Sequence, residues 1–215
     1  AARSQKRVAE AQSNGWFDWE TFTIDIPQRK GGLIQFSADE GVRPNTTVSG
    51  LSTLRPVFKK GGQVTAGNAS TLNDGASAVL VADAEYAVQQ GWTILAFIED
   101  YCTSGVEPAR VMSAPIPAIE TLLERNQLKV SDIDVFEHNE AFASASCSIA
   151  KELNIPHDRL NLHGGAVSLG HPLGSSGTRC LITMIAVMRR LESSTGIVTL
   201  CLGGGNAVAM LVRRN

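Results

Sequence analysis

Three short stretches in the last third of the sequence set a chemically useful group beside glycines or small residues: Asn139-Glu140-Ala141-Phe142-Ala143, Gly170-His171-Pro172-Leu173-Gly174 and Cys201-Leu202-Gly203-Gly204-Gly205. Between them they offer a carboxamide, an imidazole, a thiol and backbone N–H groups that no Cβ shields. Activation of a thioester or similar carbonyl needs this equipment: groups that move protons, and donors for the oxygen on which charge develops.

Each stretch has a plainer alternative. Cys201 ends an apolar run and reads either as an acid/base thiol beside the Gly203 N–H or as a buried core cysteine next to a hairpin turn. His171 precedes a helix whose N-terminus favours negative charge. A lone histidine is more often a satisfied structural residue, but the flanking glycines permit close backbone approach. Asn139 follows a strand and opens a helix, so an N-cap competes with a side chain that holds a water or a substrate carbonyl. In the functional version Glu140 supports it and Phe142 walls a pocket. Thr65 to Ser70 with Asn73-Asp74-Gly75 lines a narrow channel or simply forms two turns. His138, His157 and His163 lack metal-like spacing, and no metal is expected. Gly165 and Gly170 have P-loop spacing, but His171 stands where the lysine must be and no G-x-G-x-x-G follows a strand, so nucleotide hydrolysis and dinucleotide binding fall away.

With 215 residues and 43% apolar content, the chain can bury a substantial core. Its 19 basic and 21 acidic residues are interspersed, net −2, unlike the footprint of a nucleic-acid binder. Arg189-Arg190 reads as a solvated helix face. No apolar run reaches the roughly 20 residues that span a bilayer. Cys102, Cys147, Cys180 and Cys201 are widely spaced, which argues against disulfides or structural zinc and for a reducing intracellular compartment.

Composition and periodicity predict a helix over Ala1 to Gln12, a strand over Thr21 to Ile26 and a loop-rich stretch to about residue 62. Further on they predict strands over Ser77 to Val81, Trp92 to Ile98 and Ile133 to Phe136. Helices are expected over Asp83 to Gln90, Pro115 to Asn126, Asn139 to Leu153 and Leu181 to Leu191. Gly196 to Leu202 and Ala207 to Val212 read as a hairpin at the end of the sheet. The alternation of strands and helices makes this an α/β protein.

Taken in order, Thr65 to Ser70 with Asn73-Asp74-Gly75-Ala76, Asn139 to Ala143, Gly164-Gly165-Ala166 through Pro172, and Cys201 to Gly205 resemble the thiolase family, nearest to acetyl-CoA acetyltransferases, from Ala1 to Arg214. The resemblance implies a layered fold with a mixed sheet flanked by helices. Residues 1–62 would belong to the loop domain that binds coenzyme A, 63–92 to the end of the amino-terminal domain and 93–215 to the carboxy-terminal domain. It implies condensation of two acetyl-CoA to acetoacetyl-CoA, or the thiolytic reverse, with coenzyme A thioester as substrate and no cofactor. Cys201 would be the acid/base thiol, His171 and an Asn139-held water the enolate oxyanion site, and the Gly203 N–H a second oxyanion donor. Ala69 and Ser70 would meet the pantetheine arm, Met112 and Phe142 the acyl group, and Arg29 the nucleotide end.

Family members are about twice this length and carry their S-acylated cysteine in the amino-terminal half. No cysteine here takes that place, since Cys147 and Cys180 read as packing residues, and Thr71 stands where the family usually has glycine. The expectation is a chain that needs a complementary amino-terminal portion, in a dimer or tetramer of such units. The competing readings are a non-catalytic coenzyme A-binding or interaction module and a Cys/His hydrolase with Cys201 as nucleophile.

Overall fold

The computed structural model describes residues 1–214. Strong helix formers carry α1 (Ala2–Ser13), which stops at Asn14 ahead of Gly15. Its buried face, Ser4, Gln5, Val8 and Ala11, follows the helical repeat and is half polar, so it docks by hydrogen bonds as much as by packing. The expected strand over Thr21 to Ile26 forms three residues later, as β1 (Ile24–Pro27), and pairs antiparallel with β2 (Leu33–Phe36) in an exposed hairpin. Two short helices follow, α2 (Val48–Ser52) and α3 (Ala84–Gln89), capped by the Thr47 and Asp83 side chains.

Ser77 to Val81 is not a strand: it joins no ladder, and Val79, Leu80 and Val81 are 41, 77 and 67% exposed. Its apolar pattern suits a buried strand, but a strand exists only where a neighbour accepts its backbone bonds, and the described residues offer none there. Trp92 to Ile98 is likewise shifted, since the ladder runs over β3 (Phe97–Gly105).

Two prolines open α4 (Pro115–Arg125), which buries Ala118, Ile119, Leu122 and Leu123 as its period predicts. β4 (Val135–His138) leads to α5 (Ala143–Glu152), and a single turn, α6 (Ala166–Leu169), precedes α7 (Ser176–Arg190), five residues longer at its start than the apolar run suggests. β5 (Thr195–Leu202) and β6 (Asn206–Arg213) close the chain.

The main sheet has the order β3-β6-β5-β4, with β4 parallel to β5 and the other pairs antiparallel. The β5–β6 hairpin therefore forms the middle of the sheet rather than its end. Alternation sends Ile197, Ala207, Ala209 and Leu211 into one core with α4 and α5, and Val198, Leu200 and Val212 into another with α7. The result is a mixed sheet sandwiched between helices, as expected for the fold class. Gly205, at φ +93°, lies against the Val106 carbonyl where a Cβ would collide, and its own carbonyl accepts the Val106 N–H at 2.7 Å. This contact pins the hairpin turn to the segment that carries Met112.

Candidate active site

The parallel β4–β5 pair ends its two strands at the same side of the sheet. His138 pairs with Thr199, so the chain leaves β4 at Asn139 while β5 runs on for three more paired residues, Leu200 to Leu202. Asn139 is not the helix cap that its sequence position suggests. Glu140 turns into the left-handed region at φ +58°, and α5 begins only at Ala143. Asn139 is instead 1% exposed and held from every side: its N–H donates to Thr199 O at 3.2 Å and its carbonyl accepts from Ala166 N–H at 3.0 Å. Its Oδ1 accepts from Arg179 Nη2 at 3.2 Å and lies 3.6 Å from Cys180 Sγ.

The Asn139 carboxamide nitrogen faces the His171 ring, 3.2 Å from Nε2 and 3.4 Å from Nδ1. Nδ1 of the ring lies 2.6 Å from Ser176 Oγ, and Ser176 gives its one proton to the Pro172 carbonyl at 3.0 Å. With the Ser176 proton spent on that carbonyl, Ser176 accepts from the ring, an arrangement that puts the ring proton on Nδ1 and the lone pair on Nε2. Burial, reinforced by the nearby Arg179 charge, lowers the His171 pKa from its ordinary value. Neutral, with Nε2 free to accept a proton, His171 is equipped as a base. Its backbone is fixed too: the N–H donates to Thr71 O at 2.9 Å, and Gly170, at φ +87°, comes so close to the Asn73 side chain that no Cβ fits.

Cys201 sits two residues beyond Thr199 on β5, half-buried, on the Ile197 face of the sheet. Among the described residues no hydrogen bond joins it to His171. Burial raises its pKa, so it rests as a thiol, able to give a proton and poor as an unaided nucleophile. That disfavours the hydrolase reading. Gly203 is exposed, nothing lies within 4 Å of where its Cβ would be, and its N–H enters no hydrogen bond of the turn.

The expected walls divide. Ala69 bridges to Phe142, and Ser70 N–H donates to Ala141 O at 2.9 Å, so both join the Asn139 stretch. Phe142 stacks edge-on against Phe58 with centroids 6.2 Å apart. Met112 is half-buried in the 3-10 turn Pro108–Ser113, which packs against β5. Arg29 stands exposed in the turn between β1 and β2, bonded to none of these groups. Cys180 is buried as a packing residue should be, with its thiol pushed up to about 12 by burial, but Cys147 is exposed on α5. Arg189 and Arg190, though solvated, lie 4.2 and 3.9 Å over the Trp19 and Trp16 rings.

Several supports escape a reading of motifs. Arg179 Nη1 donates to Glu137 Oε1 at 3.0 Å, and burial pushes the Glu137 carboxyl up to about 8 against the pull of that cation. His138, fully buried, accepts from Glu140 N–H at Nδ1, which also meets Ser146 Oγ at 2.7 Å. Ser4 Oγ donates to Glu140 Oε2 at 2.5 Å. The only signal in the sequence is charge inside apolar elements: Glu137 within Val135-Phe136-Glu137-His138, and Arg179 ahead of the apolar face of α7. A cleft of about 990 Å³ is lined by Glu20, Asp39, Gly170, Arg179 and Thr183 but by neither Asn139 nor Cys201, so it lies behind the His171 turn rather than over the thiol. No group of three or more His, Cys, Asp or Glu among the described residues is placed to hold a metal, and none of their helices is long and apolar enough to cross a membrane.

Two family models match this chain, the thiolase C-terminal domain over residues 92–214 and the thiolase N-terminal domain over residues 1–85. The chain belongs to the thiolase family. A probable acetyl-CoA acyltransferase of Staphylococcus aureus strain RF122 is 47% identical over 214 residues, which are 100% of this chain and 54% of that protein. The crystal structure of the Bacillus anthracis acetyl-CoA acetyltransferase superposes with a TM-score of 0.95 at 38% identity, covering 98% of this chain and 53% of that one. Human mitochondrial 3-ketoacyl-CoA thiolase gives 0.94 at 38%, covering 99% and 53%. This thiolase-family chain thus spans about half the length of the relatives it matches.

Proposed function

We propose that the chain supplies the acid/base and oxyanion groups of a thiolase-type acyl transfer between coenzyme A thioesters, with acetyl-CoA and acetoacetyl-CoA as the substrate pair. The nucleophilic cysteine comes from a complementary amino-terminal portion of the enzyme, joined or separate, and such units assemble as dimers or tetramers. The observation that carries this reading is His171 paired with Asn139, which follows the C-terminal end of β4, beside the neighbouring β5, whose own C-terminal end carries Cys201 and leads into Gly203. Family membership and the relatives' names support it, as does the exposed apolar surface of Val79, Leu80, Val81 and Val88, which such a portion would cover.

In the thiolytic direction, His171 takes the nucleophile's proton on Nε2, and the thiolate attacks the 3-keto carbonyl, whose oxyanion the Gly203 N–H receives. The bond between the keto carbon and the α-carbon then breaks. The departing thioester enolate is stabilised by the new Nε2–H of His171 and by a water on Asn139, and Cys201 protonates its carbon to release acetyl-CoA. Coenzyme A gives its thiol proton to the Cys201 thiolate and attacks the acyl-enzyme, and the departing cysteine takes back the proton held on His171, which returns every group to its starting state. Ala69 and Ser70 would pass the pantetheine arm, Met112 and Phe142 face the acyl group, and Arg29 reach the nucleotide end. Each oxyanion donor of this kind supplies about 2.7–4 kcal/mol of barrier reduction.

The test is Cys201→Ala in the assembled enzyme. Condensation and thiolysis should vanish while acylation of the other cysteine by acetyl-CoA, followed by intact mass, is partly retained. Normal turnover by the variant would refute the acid/base role, and coenzyme A binding without turnover in the unaltered protein would favour a non-catalytic module.

A further inference from the structure

Glu137 lies on β4 and Asn139 is the first residue beyond its end, two positions on, and a single side chain takes both. Arg179 of α7 sets Nη1 on Glu137 Oε1 at 3.0 Å and Nη2 on Asn139 Oδ1 at 3.2 Å. A guanidinium is planar and its N–H bonds diverge at fixed angles, so seating it on the carboxyl also aims its other arm. A free carboxamide can turn over and exchange its oxygen for its nitrogen. Here only the oxygen can receive Arg179, and the Cys180 S–H approaches that same oxygen at 3.6 Å.

The nitrogen is thereby committed to His171. Turned over, Asn139 would present its oxygen to the ring and call for a proton on Nε2, which would move the lone pair to Nδ1, beside Ser176 and away from any substrate. We infer that Arg179, seated on Glu137, is a positioning residue: it fixes the face of the Asn139 carboxamide and, through it, the tautomer in which His171 can act as a base. The inference rests on the acid/base role assigned to His171 under Proposed function. Arg179 itself touches no reacting atom.

Two variants of the assembled enzyme separate charge from geometry. Arg179→Lys keeps the cation and loses the fork, whereas Arg179→Met loses both. For Arg179→Lys, kcat for thiolysis should fall on the order of 10²-fold, as misplaced catalytic groups do, with little change in KM. Its acid limb should stay in place, and the 15N resonances of the His171 ring should report a mixture of tautomers. In Arg179→Met the acid limb should also move to higher pH, because a cation that lowers the His171 pKa is gone. A merely structural role would lower the melting temperature but leave kcat per folded site, the pH profile and the tautomer unchanged, and that result would overturn the inference.

His171→Ala and Cys201→Ala are measured alongside. If they lose turnover while Arg179→Lys keeps it, the inference alone fails. If they too turn over normally, the underlying reading fails and takes the inference with it. Should Arg179→Lys not assemble, Glu137→Met, which takes away the oxygen that seats Nη1 at similar side-chain size, carries the test: a lowered kcat with mixed tautomers supports the clamp, and wild-type kcat with a single tautomer overturns it.

Discussion

The sheet of residues 97–214 and the stretch from residue 21 to 96 are built on opposite terms. In the first, both faces of β5 and β6 are covered by helices, and Ile197, Ala207, Ala209, Leu211 and Val212 are at most 1% exposed. In the second, β1 and β2 bury nothing, and Leu80 and Leu72 are 77 and 86% exposed. The groups for proton transfer come from the first region, while the small residues Ala69 and Ser70 lean on it from the second through backbone bonds to the Asn139 stretch. The two regions thus differ in rigidity, the closely packed sheet holding its groups in place and the exposed stretch resting on it through few bonds.

The largest expected effect tests that division directly. Leu211→Ala should cost about 2–5 kcal/mol in urea unfolding, as buried leucines do, whereas Leu80→Ala in the same chain should stay within about 0.5 kcal/mol. Equal costs would break the comparison, and a Leu80→Ala cost that appears only in the assembled enzyme would sharpen it. Next comes Gly170→Ala, where a left-handed backbone and the Asn73 side chain leave no room for a Cβ. A loss of about 1–3 kcal/mol is expected, with a lower kcat because His171 is the next residue. Hydrogen exchange should show slow amides over 97–105 and 195–213 and fast ones over 71–83, with the latter slowing only when a complementary portion is added.

The smallest effect concerns Glu20, whose carboxyl is 5% exposed, bonded to Thr183 at 2.7 Å, and pushed up to about 7, chiefly by burial. Its pKa when folded lies above that when unfolded, so the stability it allows is full below about 4.5 and lost as pH rises through about 7. Glu20→Gln should therefore melt higher than wild type at pH 8.5, by about 2–4 °C for each kcal/mol recovered, and equally at pH 4.

The motif residues were legible because glycine and histidine at such spacings have few other uses, and β5 and β6 because doubly covered strands read as unbroken apolar runs. β3 was legible only at its start. It lies at the sheet edge, and Glu99, Asp100, Tyr101, Thr103 and Ser104 give it no apolar period. Ser77 to Val81 shows the converse, a correct pattern whose ladder partner the described residues do not contain. The position of Asn139 was read correctly and its local role was not, since nothing in the sequence announces that Glu140 turns left-handed and delays α5 by four residues. Arg179 was missed because a charge on an amphipathic helix reads as solvent-facing until the strand beneath it is known to carry Glu137.

The first helix is fastened to the rest of the molecule largely by its own side chains. Ser4 and Gln5 reach the Gly165 to Val167 backbone, and Arg7 caps the carbonyls of His157 and Leu160. A protease that cuts the partly exposed turn after Asn14 would therefore sever the chain without freeing the piece. Two bands on a denaturing gel and one peak in gel filtration would mark a nicked thiolase whose Glu140 still has its serine.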